Sequence, residues 1–128
     1  MREPIAYPEP VRGATIAACR LRKRLQRYVA EAAADASRTG MPVMRPMILA
    51  YPGDRAARDA DLQYLLRPDV LMAPILQPGG KRAVWVPPGD WRPLCLAPVR
   101  GPRWTTVQCE PHEFPAFVRE GALVIFNP

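Results

Sequence analysis

Arg82-Ala83-Val84-Trp85-Val86-Pro87-Pro88-Gly89-Asp90-Trp91 is where this chain changes character. β-branched and aromatic residues suit a pleated, half-buried surface, so Arg82 to Val86 reads as a strand and Pro87-Pro88-Gly89-Asp90 as a turn. Trp91 to Leu96, Trp104 to Val107, Phe114 to Val118 and Ala122 to Phe126 continue in the same style. Short strands at this spacing, punctuated by proline and glycine, predict a small antiparallel β-sandwich.

Upstream of Pro78-Gly79-Gly80 the pattern is different. From about Pro10 to Arg38 the chain is alanine-rich, and Leu21, Leu25, Tyr28, Val29, Ala32 and Ala36 recur on a helical period, which predicts one long amphipathic helix. Gly40 supplies its left-handed stop. Met41 to Ile48 is apolar with two prolines and reads as a short buried strand. Tyr51-Pro52-Gly53-Asp54 is a turn ending in an N-cap, and Leu62, Leu65 and Leu66 then follow at helical spacing until Pro68. Val70 to Leu76 reads as a second buried extended segment. Together these pieces predict an α+β chain.

At 128 residues, 48% hydrophobic and 23% charged, the chain can bury one core, and wholesale disorder or a coiled coil is excluded. Seventeen prolines break helices after the first third. The longest apolar run, Val70 to Leu76, falls far short of the roughly 20 residues of a membrane span. No charged-then-apolar leader opens the chain, so a soluble, untargeted protein with no membrane partner is expected. Cys19, Cys95 and Cys109 are odd in number and irregular in spacing, which argues against a disulfide framework and points to a reducing compartment, the cytoplasm.

The net charge of +6 comes almost wholly from arginine, since only Lys23 and Lys81 are lysines. Arg20, Arg22, Lys23, Arg24 and Arg27 crowd the long helix, but they alternate with its apolar stripe and lack the interleaved aromatics of a single-strand binder. They read as a solvated helix face, and no nucleic-acid partner is expected. Cys109-x-x-His112 is the one tight pair of metal-ligating type; with Cys19 and Cys95 distant and no second histidine, no metal is expected. Ser37 is the only serine and lies far from His112, so a nucleophilic triad is excluded. Gly79-Gly80-Lys81 lacks the following Ser or Thr of a phosphate loop. Asp54, Asp59 and Asp61 cluster near the second helix, where capping and surface roles account for them. Trp85, Trp91 and Trp104 could stack on sugar rings, although alternation in strands makes them core residues first.

Read in order, the pieces resemble the C-terminal part of glycoside hydrolase family 31, the retaining α-glucosidases and α-xylosidases. Arg2-Glu3-Pro4 is similar to the segment before the last long barrel helix, and Leu21-Arg22-x-Arg24-Leu25-x-x-Tyr28 to that helix. Gly40-Met41-Pro42-Val43-Met44-Arg45-Pro46 resembles the glycine turn and final barrel strand, and Tyr51-Pro52-x-Asp54 the loop after it. Asp61-x-Gln63-Tyr64-Leu65-Leu66 resembles a short family helix, and Leu71-Met72-Ala73-Pro74-Ile75 the strand that leaves the barrel. Val84-x-Val86-Pro87-x-Gly89-x-Trp91 and Phe117-Val118-Arg119-x-Gly121-Ala122 match the proximal β-sandwich. The sequence departs at Arg27, where the family usually has proline, at Ile5 in place of an aromatic, at Arg67 in place of glycine, and at Ile125-Phe126, where a proline often closes the last strand.

The resemblance implies that residues 1–69 form the last helix-strand-helix of a (β/α)8 barrel and residues 70–128 the proximal sandwich. It implies an α-linked oligosaccharide as the substrate of the complete enzyme. Family members use a nucleophilic and an acid/base aspartate on earlier barrel strands, with a substrate-binding histidine before the opening motif, and this chain carries none of those segments. A retaining mechanism needs two carboxyls roughly 5 Å apart, so no catalytic, cofactor or metal residue is assigned here and no activity of the chain alone is expected. The uncovered barrel surface is expected to be sticky, weakly protected against amide exchange and open to self-association. Two other readings stay open: a free-standing carbohydrate-binding module built on the tryptophans, and a basic nucleic-acid binder built on the Arg20 to Arg27 helix.

Overall fold

The computed structural model describes residues 3, 6–94, 97–110, 113 and 115–122. The helical third holds two helices, α1 (Val11–Arg24) and α2 (Gln26–Thr39), where one was expected. They part at Leu25, whose ψ of −2° unwinds the helix locally, although its N–H still bonds Leu21 and its carbonyl still accepts from Val29. Nothing in the sequence at Leu25 breaks a helix; the interruption falls where burial begins. α1 has no buried residue, whereas Leu25, Tyr28 and Ala32 are buried. Gly40 ends α2 as expected, with φ 74° and its N–H on the Ala36 carbonyl.

Three expectations for the middle of the chain need correction. The strand expected within 41–48 is only β1 (Met44–Pro46), followed by the single turn α3 (Met47–Ala50). Met47 is buried, but Met44, Ile48 and Leu49 are exposed, so most of this apolar stretch faces outward. Asp54 caps α4 (Arg55–Asp59) as expected, accepting from the Ala56 N–H at 2.9 Å. That helix stops before the leucines: Tyr64–Leu66 is strand β2, although helical spacing and family resemblance both pointed to helix. Leu65 alone of the three is fully buried, a two-residue alternation, and pairing on both sides fixes it as a strand.

β3 (Val70–Met72) runs back beside β2, with Val70 and Leu71 fully buried. β4 (Lys81–Pro93) is one strand of 13 residues; the expected turn at 87–90 is instead a register irregularity between Val86 and Gly89 inside it. β5 (Val99–Gln108) and β6 (Ala116–Arg119) complete the set. The expected strand over Ala122–Phe126 lies outside the described residues beyond Ala122, as do Cys95, Leu96 and Phe114 of two others. All pairings are antiparallel, in one six-stranded sheet of order β1-β2-β3-β6-β4-β5, so the α+β class is observed.

The sheet curls on itself. Gln63, at the start of β2, gives its amide Nε2 to the Trp85 carbonyl at 2.7 Å and takes the Trp85 N–H on Oε1 at 2.9 Å, so a side chain bridges β2 to the first half of β4. The enclosed core contains Met47, Ala57, Leu65, Leu71, Val84, Trp85, Val86, Trp91 and Phe117. Tyr51 meets Trp85 edge-on, with ring centroids 5.4 Å apart.

Arg67, between β2 and β3, holds α2 against the sheet. Its guanidinium bonds Glu31 at 3.1 Å and Asp35 at 2.7 Å and lies 5.2 Å from the centre of the Tyr28 ring. Its φ is 53°, the one left-handed non-glycine residue described, which is the physical reason a glycine suits this position. Arg67→Ala is therefore expected to lose about 2 kcal/mol of charged hydrogen bonds. Arg67→Gly should recover about 1 kcal/mol of that, because glycine carries no left-handed penalty. Denaturant unfolding of the two variants beside the parent checks the order: an alanine variant as stable as the glycine one would contradict it.

Candidate functional site

The tryptophans divide. Trp85 and Trp91 are 2% and 1% exposed and belong to the core, as the strand alternation indicated, while Trp104 on β5 is 45% exposed. The indole of Trp91 donates to the Pro87 carbonyl at 2.9 Å, and the Arg119 guanidinium lies 4.5 Å from its ring centre. Arg119 also donates to the Tyr51 hydroxyl at 3.1 Å and to the Pro88 carbonyl at 3.2 Å. This arginine thus joins β6, the β4 irregularity and the loop after α3. Sequence reading quoted it only as part of a motif; a partner 68 residues away leaves no local signal.

The basic residues of α1 and α2 are solvated as expected: Arg20, Arg22, Lys23, Arg24 and Arg27 are all exposed, and Arg27 pairs with Glu31 at 3.1 Å. Asp59 and Asp61 are exposed, and Ser37 is exposed near the end of α2. Cys109 is buried and Cys19 exposed, while Cys95 and His112 lie outside the described residues. Among the described residues no group of three or more His, Cys, Asp or Glu side chains is arranged to hold a metal. No described helix is long and apolar enough to cross a membrane.

A cleft of about 620 Å³ lies between the turn at Pro78-Gly79-Gly80 and the end of β5, lined in part by Pro74, Gln77, Gln108, Glu110 and Glu113. Glu113 accepts the Glu110 N–H at 2.8 Å, so one of the two carboxylates lining the cleft is tied to the main chain. The arrangement can offer hydrogen bonds, but nothing in it opposes two carboxyls across a substrate.

Several titrations are set by the fold. Burial pushes the Tyr28 phenol well above its ordinary range while its hydroxyl donates to the Leu66 carbonyl at 2.8 Å. Burial lowers the Arg82 guanidinium, which donates to the carbonyls of Leu62 and Pro74. Hydrogen bonds from Arg38 and then Arg67 hold the Asp35 carboxyl below its ordinary value of 3.8. A carboxyl lowered in the folded state contributes stability that is complete above its unfolded value and lost as the pH falls through its folded one. Asp35→Asn is thus expected to flatten the stability profile below about pH 4. Denaturant titrations from pH 7 to pH 2 read this directly, and an unchanged acid limb would exclude it.

An isomaltosyltransferase from Sporosarcina globispora is 32% identical over 108 residues, which are 83% of this chain and 10% of that protein. The crystal structure of an α-xylosidase from a soil metagenome, complexed with xylose, is 35% identical with a TM-score of 0.88, covering 97% of this chain and 19% of that one. A Flavobacterium johnsoniae dextranase complexed with isomaltotriose is 28% identical with a TM-score of 0.88, covering 94% of this chain and 15% of that one. The chain therefore spans between a tenth and a fifth of the length of these relatives. Residues 40–124 match the profile of the glycosyl hydrolase family 31 C-terminal domain, and the chain belongs to that family.

Proposed function

We propose that this chain supplies the end of the catalytic (β/α)8 barrel, residues 1–69, and the proximal β-sandwich, residues 70–128, to a retaining α-glycosidase that acts on α-linked glucosides or xylosides. The observation that carries the reading is α1: it is a 14-residue amphipathic helix with no buried residue, and the apolar Met44, Ile48 and Leu49 of β1 and α3 are exposed as well. Such a surface fits a chain whose neighbours are the earlier units of a barrel. The relatives' sugars, isomaltotriose and xylose, support a substrate of this class. Without those earlier units the same surface is available for self-association. The odd number and irregular spacing of Cys19, Cys95 and Cys109 support placement in a reducing compartment, the cytoplasm.

On this reading the chain by itself does not turn over substrate. Asp54 is occupied in capping, Asp35 and Glu31 hold Arg67, and retaining hydrolysis requires two carboxyls roughly 5 Å apart around the anomeric carbon. The purified chain is expected to release no nitrophenol from aryl α-glucosides or α-xylosides above the buffer rate. Turnover that copurifies with the chain and persists at constant specific activity would overturn the proposal. Translation of the DNA upstream of the Met1 codon tests its other half: a frame encoding barrel strands with two aspartates is the expected result.

A further inference from the structure

The sheet has two edges, and they are unlike. β1 is three residues long and ends in Pro46, which has no N–H to offer. β5 is ten residues long and, among the described residues, pairs only with β4. Its outward-pointing groups follow from the register. The Cys109 N–H bonds the Gly80 carbonyl, so Cys109 and, by alternation, Val107, Thr105 and Arg103 turn their main-chain groups toward β4. Gln63 independently occupies the N–H and carbonyl of Trp85, the partner of Trp104, which shows that this pair does not bond across the ladder. Trp104, Thr106 and Gln108 accordingly aim their N–H and carbonyl groups away from the sheet.

Edges are normally protected by proline, charge or short length. Arg100, Pro102 and Arg103 protect the first half of β5, but Trp104-Thr105-Thr106-Val107-Gln108 is uncharged and rich in strand-forming residues. Trp104 and Thr106 are exposed.

We propose that this edge pairs with the same edge of a second copy, antiparallel and two-fold, with Thr105 on the axis. Trp104 of one copy then lies opposite Thr106 of the other, so the two exchange both main-chain hydrogen bonds, and an aromatic side chain meets a β-branched one. Arg103 falls opposite Val107, and Gln108 donates to the Pro102 carbonyl. Charge favours this register: Arg100, which in its own chain stands 3.6 Å from Asp90, falls opposite Glu110 just beyond β5 of the other copy, twice by symmetry, while the register centred on Thr106 sets Glu110 against Pro102. The pairing is independent of the glycosidase reading, which concerns the α1, β1 and α3 surface at the opposite end of the strand order.

Sedimentation of the full chain over a range of concentrations tests the pairing. A dimer is expected, dissolved by Thr106→Lys and by Thr106→Pro with the far-ultraviolet circular dichroism unchanged, because the Thr106 N–H is not used by β4. Arg100→Glu and Glu110→Arg should each weaken the dimer about tenfold, and the two together should restore it. A monomer at every soluble concentration overturns the proposal. So does a dimer that survives Thr106→Lys but dissolves with Ile48→Lys, which would place association on the α1 and α3 surface. Should the Thr106 variants fail to fold, the charge exchange decides: no recovery in the double variant refutes the register.

Discussion

Gly101→Ala is expected to destabilise the chain by about 3 kcal/mol, a fall of roughly 10 °C in melting temperature. Gly101 pairs with Gly89 on β4, immediately beyond the irregularity at Pro87-Pro88. There the two strands approach so closely that a Cβ on Gly101 would collide with the Pro87 carbonyl and stand 2.6 Å from the Val86 oxygen. Both obstacles are main chain, and neither is free to retreat. The Pro87 carbonyl accepts the Trp91 indole N–H, and Val86 is fully buried. Relief would have to come from shifting β5 off β4, which would disturb the largest ladder in the sheet. Gly53→Ala is the control, since a Cβ there meets nothing within 4 Å. Thermal unfolding followed by tryptophan fluorescence should separate the two variants clearly; equal melting temperatures would show that β5 yields more easily than its packing indicates.

Gln63→Leu is expected to cost about 3 kcal/mol, even though leucine is similar in size and more apolar. Gln63 is 3% exposed, and its amide satisfies both the donor and the acceptor of Trp85. Leucine would leave two buried main-chain groups without partners, and the cost of unsatisfied groups outweighs the hydrophobic gain. Gln63→Glu separates this account from one based on shape. An ionised carboxylate would face the Trp85 carbonyl, acceptor against acceptor, in a buried site that raises the carboxyl's folded-state pKa. A carboxyl raised on folding gains stability as the pH falls through that value, because the protonated acid both donates and accepts as the amide does. The Glu variant should therefore close part of its gap to the parent on acidification, while the Leu variant should not. Parallel pH profiles for the two variants would refute the hydrogen-bond explanation.

The curled sheet explains why some of the fold was legible and some was not. Gly40 as a helix stop, Asp54 as an N-cap and Val70-Leu71 as buried strand are settled by local chemistry, so sequence reading placed them correctly. Leu62, Leu65 and Leu66 carried a helical spacing, yet Leu62 lies in a turn and Leu65 and Leu66 in strand β2. A three-residue segment has little propensity of its own, and pairing with β1 and β3 on either side decides its state. The Pro87-Pro88-Gly89-Asp90 run looked like a chain reversal, yet β5 pairs with β4 on both sides of it and carries the strand straight through. Leu25 interrupts a helix with no breaker in it, at the boundary between α1, which has no buried residue, and α2, which buries Tyr28 and Ala32.

For the candidate site the division is sharper. Ordered motifs from Leu21 to Ala122 sufficed to recognise the family, because a series of weak local patterns in fixed order is specific even when each is not. The tryptophans' roles could not be read that way: Trp85, Trp91 and Trp104 sit in similar strand contexts, and only the curl of the sheet buries the first two and leaves the third at an edge. By itself the sequence determined the α+β class and the Gly40 and Asp54 caps, which follow from residue type and spacing within a few turns of chain, and the family through the resemblance of its ordered motifs. Tertiary structure alone decided the strand identity of 64–66, the unbroken β4, the Gln63 bridge to Trp85 and the Arg119 clamp. The bridge and the clamp join residues from 22 to 68 positions apart, a separation at which spacing carries no information, and the two strand assignments depend on pairing that only the closing of the sheet supplies.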